Sequence, residues 1–193
     1  MDAHAIPEQA AALRLVDPHA ALAALEAAVP GLAALRRIEP ARIDWAAVEA
    51  ALGTALPADF KLFGEVYPPL LFGDFMSIQA PTPGREEAWA KATLAEREDV
   101  EDLLDIEGLS DVLPVYPDPG GLLGWGGSHD GDTFLWTTAG ASPEEWKVTV
   151  ASHNGDWWHY PAGAVQFTAD LISGAVEPWG LPSVRPEVVT AGD

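Results

Sequence analysis

The chain contains no cysteine, only two methionines, ten lysines and arginines against thirty acidic residues, and no long apolar run. Each shortage removes a class of function. Without cysteine there is no disulfide, no thiolate nucleophile and no Cys-ligated zinc or iron–sulfur centre. With so few bases the chain is not expected to grip nucleic acid through its phosphates, and an anionic membrane surface would repel it. No stretch approaches the roughly 18 apolar residues that cross a bilayer. The opening Met1-Asp2-Ala3-His4 lacks a positive region followed by an apolar one, so no secretory signal is expected and the location reads as cytoplasmic.

What is present is a globular composition. The chain has 193 residues, 48% of them hydrophobic, and eight tryptophans, enough for one domain over residues 1–193 with a substantial core. The net charge of −20 keeps such a chain soluble, and it also suits a basic protein partner, whose approach a complementary field accelerates.

Two matched segments stand out. Ser128-His129-Asp130-Gly131-Asp132 and Ser152-His153-Asn154-Gly155-Asp156 follow one pattern, with strand-like runs on both sides of each. Asp-Gly and Asn-Gly are strong hairpin signals because both residues tolerate positive φ. Two successive hairpins make an antiparallel meander.

The remaining chain reads mostly as helices. Residues 8–37 carry Leu22, Leu25, Val29 and Leu32 near helical spacing, with breaks at Asp17-Pro18 and Pro30-Gly31. Two or three short helices are expected there, one opening on Pro18 under an Asp17 cap, as an N-terminal extension spanning 1–40. A helix over 43–56 has Asp44 as cap, a Trp45, Val48, Leu52 stripe and a Gly53 stop; another runs from Pro57 to about Glu65. Leu70 to Ile78 reads as one strand and Leu113 to Val115 as another. Residues 85–107 read as an amphipathic helix with Trp89, Val100, Leu103, Leu104 and Ile106 on its apolar side. A last helix covers Ala162 to Ser173 before Gly174, and 178–193 read as a loose tail. The expected class is α+β: a mostly antiparallel sheet of about 4–6 strands with helices packed against it.

Several of these segments, in this order, resemble one family. Trp45-(x2)-Val48-Glu49-(x2)-Leu52-Gly53-(x2)-Leu56-Pro57-(x)-Asp59-Phe60-Lys61 is similar to the opening motif of the SUKH superfamily. Phe72-Gly73-Asp74-Phe75-Met76 resembles the strand that follows it. Leu123-Gly124-Trp125-Gly126, Asp130-Gly131-Asp132 and Trp136 resemble its central hairpin, and Trp146 to Val150 with Phe167-(x3)-Leu171-Ile172-(x)-Gly174 its close. The resemblance covers about 43–177. It implies helices on a mostly antiparallel sheet and a non-enzymatic protein-binding function. The expected role is an immunity protein that neutralises a nearby-encoded bacterial toxin, such as a nuclease or deaminase. A regulatory or scaffolding module with a cellular partner is the alternative. The family shares no catalytic residues, so none is carried over.

The residues offer their own candidates. Glu96 to Asp111 holds eight acids and one base, and Glu98, Asp102 and Asp105 are the expected partner-binding charges, imitating a phosphate track. Trp157 and Trp158 are adjacent in a strand, so they point to opposite faces: one can be core and the other faces solvent, a helix or a partner, which makes the pair candidates for partner binding. His129, Asp130, Asp132, His153, Asp156 and His159 are metal-ligand types, but the turns themselves explain Asp130 and Asn154, and no metal or cofactor is expected. Ser128-His129-Asp130 has the residue types of a serine triad without the separation such a triad needs. Gly124-Trp125-Gly126-Gly127 lacks the Lys-Ser/Thr of a phosphate loop and reads as a bulge.

Overall fold

A computed structural model describes residues 5–10 and 13–191. The described chain is α+β. Its helices are α1 (Pro18–Ala28), α2 (Trp45–Leu52), α3 (Ala58–Val66), α4 (Glu86–Ala95), α5 (Arg97–Glu107) and α6 (Ala164–Ser173). Its strands are β1 (Leu70–Phe72), β2 (Met76–Ile78), β3 (Leu122–Ser128), β4 (Thr133–Thr137), β5 (Lys147–Ala151), β6 (Trp157–Tyr160) and β7 (Val188–Thr190). They form one open antiparallel sheet in the order β6-β5-β4-β3-β2-β1-β7.

The helix ends follow the residues that signalled them. Asp17 accepts from the His19 N–H at 3.0 Å and Asp44 from the Ala47 N–H at 3.1 Å, each satisfying a donor the first turn leaves orphaned. Gly53 and Gly174 close α2 and α6 in the left-handed region. Glu49 on α2 accepts from the Leu56 N–H at 3.0 Å and the Lys61 ammonium at 2.8 Å, so one carboxylate fixes the corner into α3.

Three features differ from expectation. The run Leu70 to Ile78 is a hairpin, because Gly73 and Asp74 both take positive φ and turn the chain between β1 and β2. The charged stretch at 85–107 is two helices that meet at Glu96. Leu113 to Val115 makes only a single bridge, Val115 to Leu122. With β7 added, the sheet has seven strands. The residues read as a loose tail bury Leu181 and Val184, and Val188–Thr190 pair with β1 in register. The tail is also drawn in by close approach: the Gly73 N–H donates to the Glu187 carbonyl at 2.7 Å, and a Cβ at Gly73 would strike Val184 and Arg185.

The sheet has a large core on one face and a small one on the other. Trp125, Phe134, Trp136, Val148, Trp158 and Tyr160 face the large core, where Phe60 of α3 and Phe167 of α6 pack on them and α1 packs on α3 and α6. The N-terminal extension is part of this core, since Leu22, Leu25 and Leu32 are buried in it. Leu122, Leu135, Ala151 and Trp157 face the other way and meet Val100 and Leu104 of α5. The free edge of β6 is covered by the segment around Glu8: Pro7 O accepts from the His159 N–H at 2.8 Å, and the Gln9 N–H donates to His159 O at 3.0 Å.

Candidate functional site

The matched turns lie side by side at one end of the sheet, because β4 and β5 pair in register from Thr133–Ala151 to Thr137–Lys147. Each is a three-residue loop rather than a two-residue primed turn. Only the glycine takes positive φ, Gly131 at +96° and Gly155 at +84°, while Asp130 and Asn154 do not. The serine explains the repeat. Ser128 Oγ accepts from the Asp130 and Asp132 N–H groups at 3.2 and 3.0 Å, and Ser152 Oγ from those of Asn154 and Asp156 at 3.2 and 3.1 Å.

Of the six residues considered as metal ligands, the structure joins Asp132 and His153. Asp132 Oδ1 accepts from the His153 N–H at 2.9 Å and lies 2.8 Å from its Nδ1, and Asp132 Oδ2 takes the Ser128 hydroxyl. His159 lies elsewhere, its Nδ1 2.9 Å from Thr149 Oγ1, which is itself 2.7 Å from Thr137 Oγ1. Burial lowers the His159 pKa from 6.5 to about 4, with the Lys147 charge adding to the effect and Glu8 opposing it. Among the described residues, no three His, Asp or Glu side chains converge as a metal site.

The strongest surface feature is α5. Val100 and Leu104 point into the small core, leaving Glu98, Asp102 and Asp105 exposed on the outer side as expected. Arg97 is turned to Glu101 at 2.6 Å and to the Tyr116 carbonyl at 3.2 Å, so the helix's one base does not shield those three acids. Ile106, expected on the apolar side, stands 79% exposed just after Asp105. Trp157 and Trp158 are both buried, at 6% and 0% exposure, because α5 covers one face of the strand and α6 the other. Neither offers a ring to a partner, which corrects the expectation drawn from their adjacency.

Beneath α5 lies a cleft of about 320 Å³ that was not foreseen. Glu96, Asp99 and Leu103 form its helical wall, Gly126 and Gly127 of β3 its floor, and Asp132 lies at the turn end. Gly126 and Gly127 leave that floor without side chains, and a Cβ at Gly127 would fall 3.2 Å from the Asp132 carbonyl and 3.8 Å from Gln79 Nε2, which also lines the cleft. Burial raises the Glu96 pKa, and the neighbouring Asp99 charge adds to it. The signal in the sequence was the Gly-x-Gly-Gly run, readable as a bulge, which the register shift between Gly124 and Gly126 is, but not as a floor.

No helix among the described residues is long and apolar enough to cross a membrane. Comparison with known protein families, with curated proteins and with solved structures gives no match to this chain. Fold and surface together define an α+β protein whose densest charge is one acidic helix over an acidic cleft.

Proposed function

We propose that this chain is a non-enzymatic protein-binding domain of SUKH type, an immunity protein that neutralises a basic bacterial toxin by occluding its active site. The observation that carries the reading is the outer face of α5, where Glu98, Asp102 and Asp105 stand exposed without a shielding base and Ile106 is exposed at the C-terminal end of the row. Such a row of carboxylates imitates the phosphate track that a nuclease or nucleic-acid deaminase holds in a basic groove. Charge sets the rate and selectivity of the encounter, and an apolar anchor slows dissociation. Ile106 takes the anchoring role for which the buried tryptophans are unsuited. An interface of ordinary size, about 1,600 Å² in total, is larger than α5 alone and would take in the neighbouring turns.

The partner is sought by co-expression with each neighbouring open reading frame, reading growth rescue and co-elution. Binding of the partner so found is then measured by stopped flow. At low salt, association on the order of 10⁸ M⁻¹s⁻¹ is expected. The triple charge reversal of Glu98, Asp102 and Asp105 to Lys should slow it by about tenfold or more, with the difference shrinking at high salt. An unchanged association rate would falsify the role given to this face.

A further inference from the structure

A second cavity lies away from the acidic helix in character as well as composition. It measures about 240 Å³ and opens between the end of α3, the Pro68-Pro69 corner and the end of β2. Its walls are apolar, built from Phe63, Tyr67, Pro68, Leu70, Ile78 and Pro81. Arg37 is the one charged residue among those lining it.

Arg37 is placed unusually for a base in this chain. Its backbone N–H donates to the Val66 carbonyl at 2.8 Å, which fixes the residue at the C-terminal end of α3. Its Nε is buried and has no hydrogen-bond partner, and its guanidinium forms no ion pair among the described residues. The adjacent Arg36, by contrast, holds Glu26 at 2.5 Å. The sequence has thirty acids, yet among the described residues none forms an ion pair with Arg37. A buried donor without an acceptor is costly, and the acceptor that matches the fork of a guanidinium is a carboxylate.

We propose that this cavity binds a small apolar monocarboxylate, its carboxylate on the Arg37 guanidinium and its hydrocarbon part against Phe63, Leu70 and Ile78. The volume, just below the roughly 300–1,000 Å³ of drug-sized sites, suits a short or medium chain rather than a long fatty acid. The site does not depend on the immunity reading, since it shares no residue with the outer face of α5.

The test is an amide NMR titration of the intact protein with octanoate, with octan-1-ol and octylammonium as neutral and cationic counterparts. Octanoate should give saturable shifts centred on residues 63–70 and 77–82. The alcohol should bind at least about tenfold more weakly, and the cation not at all, because only the carboxylate completes the guanidinium. Arg37→Gln should weaken octanoate by about tenfold or more while leaving the alcohol's affinity and the rest of the spectrum unchanged. The proposal is overturned if octanoate shows no saturable binding below its aggregation threshold, or if its shifts map elsewhere. It is equally overturned if the alcohol binds as tightly, or if Arg37→Gln binds octanoate as wild type does.

Discussion

Helix α5 should be the least stable part of this fold, and its weakness can be worked out from its residues. Like charges meet at Glu98–Asp102 and Glu101–Asp105 four residues apart, and at Glu98–Glu101, Asp99–Asp102 and Asp102–Asp105 three apart. At a few tenths of a kcal/mol each, these pairs cost about 1–2.5 kcal/mol. Asp105 and Glu107 add about 0.5–1 kcal/mol by lying at the negative end of the helix dipole. Arg97–Glu101 returns about 0.5 kcal/mol, and Glu98 and Asp99 in the first turn return a similar amount. Against this net repulsion stand Val100 and Leu104, 7% and 1% exposed and worth about 1.5–3 kcal/mol each by burial, with the partly buried Leu103 adding less. Leu104→Ala should cost about 2–5 kcal/mol, which is enough to release the helix while the sheet stays closed over its large core. Native-state hydrogen exchange reads this directly. In the variant at low salt, α5 amides should exchange with almost no opening free energy, while β4 and β5 amides keep their protection. Raising salt to about 1 M, where the Debye length falls to roughly 3 Å, should restore about 1–2 kcal/mol to α5 alone. If α5 and β4 lose protection together, or if α5 is indifferent to salt, the helix is not held by this balance and the reasoning fails.

Two further perturbations test separate parts of the structure. Asp59 joins two helices: its Oδ1 accepts from the Phe60 N–H at 2.8 Å and its Oδ2 from the Val165 N–H of α6 at 3.1 Å, at a helix start where Gly163 supplies no side-chain cap. Asp59→Ala should cost about 1–2 kcal/mol in urea unfolding and Asp59→Asn, which keeps one acceptor, about half as much; equal losses would show that the oxygens are not what matters. His159 is held neutral in the fold and has a pKa of about 4 there against 6.5 when unfolded. The unfolded chain therefore binds the extra proton, so His159's contribution is complete above pH 6.5 and is lost as pH falls toward 4. Between pH 7 and pH 5 wild type should lose about 2 kcal/mol more than His159→Gln, read as the difference between their unfolding curves. A parallel loss in the variant would assign the acid sensitivity to other groups.

How much of this was readable in the sequence depended on whether a signal was local. The caps Asp17, Asp44, Gly53 and Gly174 were legible because each acts on the turn beside it. The hairpins around 128–132 and 152–156 were legible for the same reason, although the glycine and serine, not a pair of positive-φ residues, make the turns. The β1–β2 hairpin was missed because Leu70 to Ile78 is continuous in its apolar character, and the punctuation is only Gly73-Asp74. For Trp157 and Trp158 the sequence left solvent, a helix or a partner open for the second ring. Alternation says that the rings diverge, but only the tertiary arrangement says that a helix waits on each side. Strand β7 and the Arg37 cavity depend likewise on contacts between distant segments, which no window of sequence contains.

The repeated Ser-His-(Asp/Asn)-Gly-Asp pattern shows how a motif with catalytic residue types can be fully consumed by architecture. A serine nucleophile needs a free hydroxyl beside a base, yet Ser128 Oγ already accepts two backbone N–H groups and donates to Asp132. Ser152 Oγ likewise accepts two. The two turns then diverge in their last residue. Asp132 reaches across to the backbone and ring of His153 and ties the first turn to the second, while Asp156 lies against Gly180, where an added Cβ would fall 2.4 Å from its Oδ2. One sequence solution is thus used twice to close hairpins: the final carboxylate of the first joins the turns, and in the second Asn154 Nδ2 donates to the Gly180 carbonyl at 3.1 Å and seats the tail. Both contacts stiffen the end of the sheet beside which α5 is held by Val100, Leu104 and the partly buried Leu103. On the proposed binding role, a rigid platform carrying one acidic helix held by few apolar contacts would let charge adapt to a partner without unfolding the scaffold beneath it.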